Sequence, residues 1–242
     1  MTCYDKTKPK TIEAMFDSIA GKYDITNGIL SCQLHRLWNN KLAAALPAMH
    51  KGAMLTDLCC GTGDIAFRWL QKNRKQSPRA TLVDFSEQML ACAKLKGEKL
   101  PLPEANALAY IKADVQELPL QDASTDYVSM AYGIRNVKQP KECFKEIFRI
   151  LKPGGTFAIL ELTRPKGRIL ASTHNFYLKT LLPLLGKWMT TNKEAYTYLG
   201  SSIGEFIDPT AIAEELKNEH FTNISIKSIS FGIVTLIVAQ KP

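Results

Sequence analysis

Apolar and polar positions along the chain follow two periods. Ile12, Met15, Phe16 and Ile19 recur at helical spacing behind Thr11, a predicted N-cap, until Gly21 stops the run. After a break at residues 23–28, Leu34, Leu37, Trp38, Leu42 and Ala45 predict a second amphipathic helix that ends at Pro47. Short β-rich runs then appear at 54–58, 80–84, 109–114, 126–131 and 156–161, with helical stretches between them. Ser86 is placed to cap a helix carrying Met89, Leu90 and Ala93. Pro140 starts one whose Phe144, Ile147, Phe148 and Leu151 share a face, and Pro153-Gly154-Gly155 is expected to end it. Strands alternating with helices imply a parallel, doubly wound sheet with right-handed crossovers. Asp208-Pro209 opens a last helix, and the runs 224–229 and 232–240 are joined too tightly for a crossover, so they should pair antiparallel.

The expected fold is therefore α/β, a doubly wound seven-stranded sheet with its last strand antiparallel, in one domain over residues 1–242. Residues 1–50 would form a helical lid over the carboxyl ends of the strands, where ligands bind in such sheets. Between 163 and 206 the pattern dissolves into scattered aromatics and prolines, including Tyr177, Pro183, Trp188, Tyr196, Tyr198 and Phe206. That segment reads as an insertion roofing a pocket for a flat apolar substrate, or equally as a contact in a homodimer.

Composition narrows the classes. A chain of 242 residues at 45% hydrophobic can bury a full core. Charged residues or proline interrupt every apolar run before it could span a bilayer, and the first residues lack a secretory signal pattern, so a cytoplasmic protein is expected. The six cysteines form no C-x-x-C, which favours reduced thiols and no metal site. A net charge of +8 suits anionic surroundings, but Lys and Arg are spread out, with a loose cluster only at Lys72, Arg74, Lys75 and Arg79. No pattern of an RNA-binding module is present, and no nucleic-acid partner is expected.

The chemistry concentrates at residues 54–66, a strand, a tight turn and a helix N-terminus. Gly61-Thr62-Gly63-Asp64-Ile65-Ala66 satisfies G-x-G-x-x-G/A, and Asp84 lies at the distance of a ribose-binding acid, so the fold should be Rossmann-like. The motif alone permits a pyrophosphate cofactor. Asp57 and Asp64 beside the loop would repel one, and would favour the ammonium and sulfonium of S-adenosyl-L-methionine. Asp84 can accept from both ribose hydroxyls, and Asp114 with the Val115 amide can read an adenine edge, although an acid after a strand also serves as a turn cap.

With these residues in view, the chain resembles the ubiquinone and menaquinone biosynthesis C-methyltransferase family. The resemblance is carried by residues 15–20 with Tyr23, Asp24, Asn27, Ser31 and residues 34–38, by the loop 55–66, by Asp84 to Leu90, by Gly133-Ile134-Arg135-Asn136-Val137, and by residues 149–155 and 160–165. Gln33 stands where the family often has glycine, and Ala131 where a serine commonly precedes the substrate signature. The resemblance implies cofactor contacts from Gly61, Thr62, Gly63, Asp84, Asp114 and Val115. It implies methyl transfer to a ring carbon of a prenylated quinol, either a naphthoquinol or a benzoquinol. Arg135 and Asn136 would hold the quinol oxygens, and the ring proton would leave through water, His35 or a tyrosine such as Tyr132. A prenylated substrate further implies weak peripheral association with the inner face of a membrane.

Overall fold

The computed structural model describes residues 8–101, 107–165 and 208–242, together with positions 167, 172, 173, 176, 177 and 180. Seven strands make one sheet: β1 (Met54–Leu58), β2 (Arg79–Asp84), β3 (Leu108–Lys112), β4 (Thr125–Ala131), β5 (Leu151–Leu162), β6 (Thr222–Ile229) and β7 (Val234–Gln240), in the order β3-β2-β1-β4-β5-β7-β6. β1 pairs parallel with both β2 and β4, whereas β7 pairs antiparallel with β5 and β6. The expected doubly wound α/β architecture with one reversed strand is what the chain adopts. The order turns back beside β1, which opens a crevice above the carboxyl ends of β1 and β4.

Alternation along each strand sends side chains to two cores. On one face Leu55, Leu82, Tyr127, Ala158 and Leu236 meet α3 (Leu34–Ala45) and α4 (Asp64–Lys72) through Trp38, Leu42, Ile65 and Trp69. On the other, Leu58, Val128, Met130, Phe157 and Ile237 meet α6 (Pro140–Ile150) and α7 (Pro209–Asn218) through Phe144, Ile147 and Leu216. Each buried Leu or Ile contributes about 2 kcal/mol by leaving water. Local signals set the helix ends as expected: Ser86 accepts from the Met89 amide at the start of α5 (Glu87–Gly97), and Asp208 accepts from the Thr210 amide with Pro209 at the first turn of α7.

Three expectations are corrected. Residues 23–28 are not a break but most of a further helix, α2 (Tyr23–Leu30), so three helices precede β1. Gly28 is tolerated inside it because the Gln33 side chain fills the space a Cβ would take, 2.6 Å from Gln33 Nε2. Thr11 does not cap α1 (Pro9–Ile19): Lys8 occupies that position and the Thr11 hydroxyl donates back to the Lys8 carbonyl at 2.8 Å. Pro153-Gly154-Gly155 does not follow a helix that includes Leu151. Leu151 already pairs with Thr125, and residues 152–155 are the extra length of a bulge before Thr156 pairs with Tyr127. Apart from residues 163–165 and the isolated positions named above, the insertion at 163–206, with Pro183, Trp188, Tyr196, Tyr198 and Phe206, lies outside the described residues.

Candidate active site

The turn between β1 and α4 needs its glycines for two reasons. Gly61 (φ 52°) and Gly63 (φ 85°) both sit in left-handed backbone. A Cβ on Gly63 would also stand 2.6 Å from the Phe67 ring and 2.9 Å from Leu82, so the third residue of the loop allows α4 to close on β2. Asp84 reaches across from the end of β2. Its Oδ2 accepts from the Gly61 amide at 2.8 Å and its Oδ1 from the Ser86 amide at 2.9 Å. Burial pushes its carboxyl up to about 6, against the pull of those amides. Each oxygen keeps a lone pair, the arrangement a vicinal diol requires.

Above Asp84 lies a small cavity walled by Ile12, Phe16, Phe85, Met89 and Val115, with Asp114 at its edge. Asp114 also accepts from the Gln116 amide and side chain at 2.9 Å, so it closes its own turn as well as facing this cavity. The largely apolar walls suit a flat base, with Asp114, Gln116 and Lys138 among the polar groups that line it.

A larger cavity of about 490 Å³ adjoins the first and shares Tyr23, Cys59, Gly61, Tyr132 and Asn136 with it. Arg135, Asn136, His35 and Thr62 all border this space, so two of the sequence-predicted groups, the loop and the Gly133–Val137 stretch, are brought together. The crossing is tight. Cys59 (φ 52°) and Tyr132 (φ 57°) are non-glycine residues in left-handed backbone at the ends of β1 and β4. Gly133 passes so close to Cys59 that a Cβ would lie 2.6 Å from Cys59 Cβ.

Arg135 is not a surface ion-pair residue. Its NH1 donates to Glu161 Oε1 at 2.6 Å with both side chains nearly buried. His35 is held in place by Ser31, whose hydroxyl lies 2.6 Å from the Asn27 carbonyl and 2.7 Å from His35 Nδ1, so the ring is oriented through Nδ1. Burial holds the His35 pKa below its ordinary value, which keeps the ring neutral near pH 7.

Tyr132 is ill suited to accept a proton. Burial raises its pKa well above the usual range, and its hydroxyl donates to Asn39 Oδ1 at 3.0 Å. Asn39 in turn donates to Asp64 Oδ2 at 2.6 Å. Asp64 lines the larger cavity with its side chain 40% exposed, as its place in the sequence suggested, but it shares its charge with Asn39 and Arg68. Burial works against its charge, but Arg68 and Asn39 hold its carboxyl below the ordinary value, and Arg68 offsets its field. Asp57 is enclosed within β1, where it accepts from Ser129 at 2.6 Å and from the Ala66 amide at 3.2 Å, and burial lifts its pKa to about 7.

A second acid at the loop, besides Asp84, is Asp24, delivered by α2: it accepts from the Thr62 hydroxyl at 2.6 Å and pairs with Lys96. Asp17 of α1 likewise accepts from the Ser86 hydroxyl at 2.6 Å, and Glu13 pairs with Lys112 at 2.9 Å. These three acids fasten the N-terminal helices over the crevice. The sequence reading assigned none of them a role, nor Asn39 or Glu161. The one local signal was that Glu13 and Asp17 punctuate the apolar positions Ile12, Met15, Phe16 and Ile19 of the N-terminal run, with Asp24 beyond it.

A seven-stranded sheet with β7 reversed, a glycine turn after β1 and an acid ending β2 define a class I, Rossmann-like methyltransferase. The chain belongs to the ubiE/COQ5 methyltransferase family, which it matches over residues 3–241. It is 47% identical over 243 residues to a demethylmenaquinone methyltransferase of Protochlamydia amoebophila, covering 100% of this chain and 99% of that protein. It is 36% identical to a ubiquinone/menaquinone biosynthesis C-methyltransferase of Rickettsia bellii, covering 97% and 94% respectively. Among solved structures, a SAM-dependent methyltransferase of Thermotoga maritima, described as a possible histamine N-methyltransferase, superposes with a TM-score of 0.63 at 16% identity over 95% of this chain and 99% of that one, a likeness of fold.

Proposed function

We propose that the protein transfers a methyl group from S-adenosyl-L-methionine to a ring carbon of a demethylated isoprenoid quinol, with demethylmenaquinol as the first substrate to test. The observation that carries this reading is the pair of adjoining cavities: one is apolar and ends on the Asp84 carboxylate, the other is larger and holds Arg135, Asn136 and His35. The relatives named for demethylmenaquinone and for ubiquinone/menaquinone support the substrate class. When bound, the cofactor supplies an electrophilic methyl on a sulfonium.

The residues divide the remaining work. Asp84 takes the ribose hydroxyls, Asp114 and the Val115 amide take the base, and the Gly61–Gly63 turn lets the ligand approach the backbone. Ring carbon becomes a strong nucleophile once a neighbouring hydroxyl loses its proton, so fixed positive charge at that oxygen lowers the barrier. Arg135 supplies that charge and Asn136 binds the same side of the ring. Once the ring carbon carries the new methyl, its own proton must leave to restore the ring. His35, neutral and oriented through Ser31, accepts it directly or through one water.

Ile25 and Ile29 on α2, Leu37 on α3, and Phe231 next to the Ser230 that Trp38 binds are exposed large apolar side chains on elements around the crevice. We read this rim, with the net charge of +8, as the place where the protein meets the surface of an anionic membrane holding the substrate's prenyl tail. Among the described residues no helix is long and apolar enough to cross that membrane. The test is turnover of a short-chain demethylated naphthoquinol with S-adenosyl-L-methionine, followed by mass spectrometry of the product, against the matching benzoquinol. Methylation of the naphthoquinol ring is expected. Absence of methylation of either ring while the cofactor binds would overturn the substrate class.

A further inference from the structure

Among the described residues, Arg135 and Glu161 form the most deeply buried ion pair, with side chains 11% and 3% exposed. Enclosing two charges costs several kcal/mol per ion, and an apolar pair of the same volume often serves stability as well or better. The pair ties the turn at Ile134–Asn136, just past β4, to β5, two strands already zipped from Tyr127–Thr156 to Ala131–Leu160 by their own ladder. The pair is also incompletely satisfied: Arg135 Nε and Glu161 Oε2 are both buried without a hydrogen-bond partner. Such features are retained where a charge must be held in one place for a ligand.

The two residues face the site differently. Arg135 borders the larger cavity and Glu161 does not, since it lies behind the guanidinium at the end of β5, with Oε1 also accepting from its own neighbour, the Leu162 amide, at 2.9 Å. We infer that Glu161 is a positioning residue for methyl transfer: it clamps one end of the Arg135 guanidinium and aims the rest at the cavity. Held so, the guanidinium interacts most strongly with the charge that develops on the ring oxygen, which is where differential stabilisation accelerates the reaction. This inference rests on Arg135 acting on the quinol oxygen, as proposed above.

The test is a double-mutant cycle of Arg135→Ala and Glu161→Gln in the full chain. kcat and KM would be measured for a short-chain demethylated naphthoquinol, cofactor affinity by calorimetry and folding by thermal melts. Glu161→Gln keeps an acceptor of the same shape, and Glu161→Asp, which draws the clamp back by one methylene, serves if the first variant does not fold. The expected result is a kcat at least tenfold lower for the Glu161 variant, a cofactor Kd changed less than twofold, and no further loss when Arg135→Ala is added. Losses that multiply in the double variant, or a kcat within twofold of the parent despite a lowered melting temperature, would reduce Glu161 to a structural role and overturn the inference. If Arg135→Ala itself leaves kcat unchanged, the reading of Arg135 fails first, and the cycle separates the two failures.

Discussion

Asp57 and Asp84 are two buried carboxylates with different work to do. A carboxyl whose folded pKa lies above its unfolded value stabilises the fold most at low pH. That contribution disappears as pH rises through the window between the two values, here 3.8 to about 7 for Asp57. Ligand-free Asp57→Asn, which can still accept from the Ala66 amide, should therefore gain in melting temperature relative to the parent as pH is raised from 5 to 8. A difference that stays flat across that range would contradict it. Asp84 should couple pH to ligand affinity, since a ribose diol needs the ionised form. Cofactor affinity by calorimetry is expected to fall as pH drops below about 6. Asp84→Asn should cost at least tenfold in that affinity at pH 7.5, while Asp84→Ala should also destabilise the fold, because it orphans the Gly61 and Ser86 amides.

These residues were unequally legible. The glycine turn, the acid ending β2 and the Ser86 cap are local patterns, so sequence shows them directly. Asp24 and Glu161 take their meaning from Thr62 and Arg135, 38 and 26 positions away in the chain, and nothing local announces such a pairing. Asp64 lies between these cases: its position suggested a charge open to a ligand, and it does line the cavity, but partners on α3 and α4 share that charge.

At the level of elements, α2 was hidden because Asn27 and Gly28 read as breakers, while packing against the loop and α3 outweighs their poor helical propensity. Gln33 shows the same override. It holds a left-handed conformation (φ 65°) at the turn into α3, which is why a glycine would be natural there. The cover formed by α1 and α2 is attached by buried Ile12 and Met15, by Phe16 against Phe85, and by a set of polar contacts: Asp17 to Ser86, Asp24 to Thr62 and Lys96, Glu13 to Lys112. Such contacts can open without unpacking the sheet. Asp17→Ala leaves the Ser86 cap in place, and is expected to speed hydrogen exchange in residues 9–30 and to weaken cofactor binding by about tenfold, the worth of one hydrogen bond to a charged group. Unchanged exchange in those residues would show that the fastening lies elsewhere.

Across the whole molecule, alternation of short strands and helices was enough to read the layered sheet and its reversed strand, since each β-α unit is a local pattern and the final pair is too close-coupled for anything but antiparallel pairing. The apolar rim was not readable that way. Ile29 and Leu37 carry ordinary helical periodicity, and only the fold reveals that they face out, beside a Phe231 that is 83% exposed. Replacing Ile29, Leu37 and Phe231 together by serine should abolish flotation with anionic liposomes while leaving turnover of a water-soluble short-chain quinol within about twofold. The parent's flotation should fade as salt rises. Parent protein that fails to float at low salt would remove the membrane reading altogether.

The reversed β7 has one more effect. Running against its neighbours, it carries the bend at Ser230–Gly232 to the ligand end of the sheet, where Ser230 accepts from the Trp38 indole at 2.8 Å and Ile233 becomes part of the acceptor chamber wall. A parallel strand there would have delivered the bend to the opposite end. Lengthening or trimming this hairpin tip would reshape the chamber without shifting any strand register, so one short loop is a place where its fit to a ring can be altered apart from the rest of the sheet.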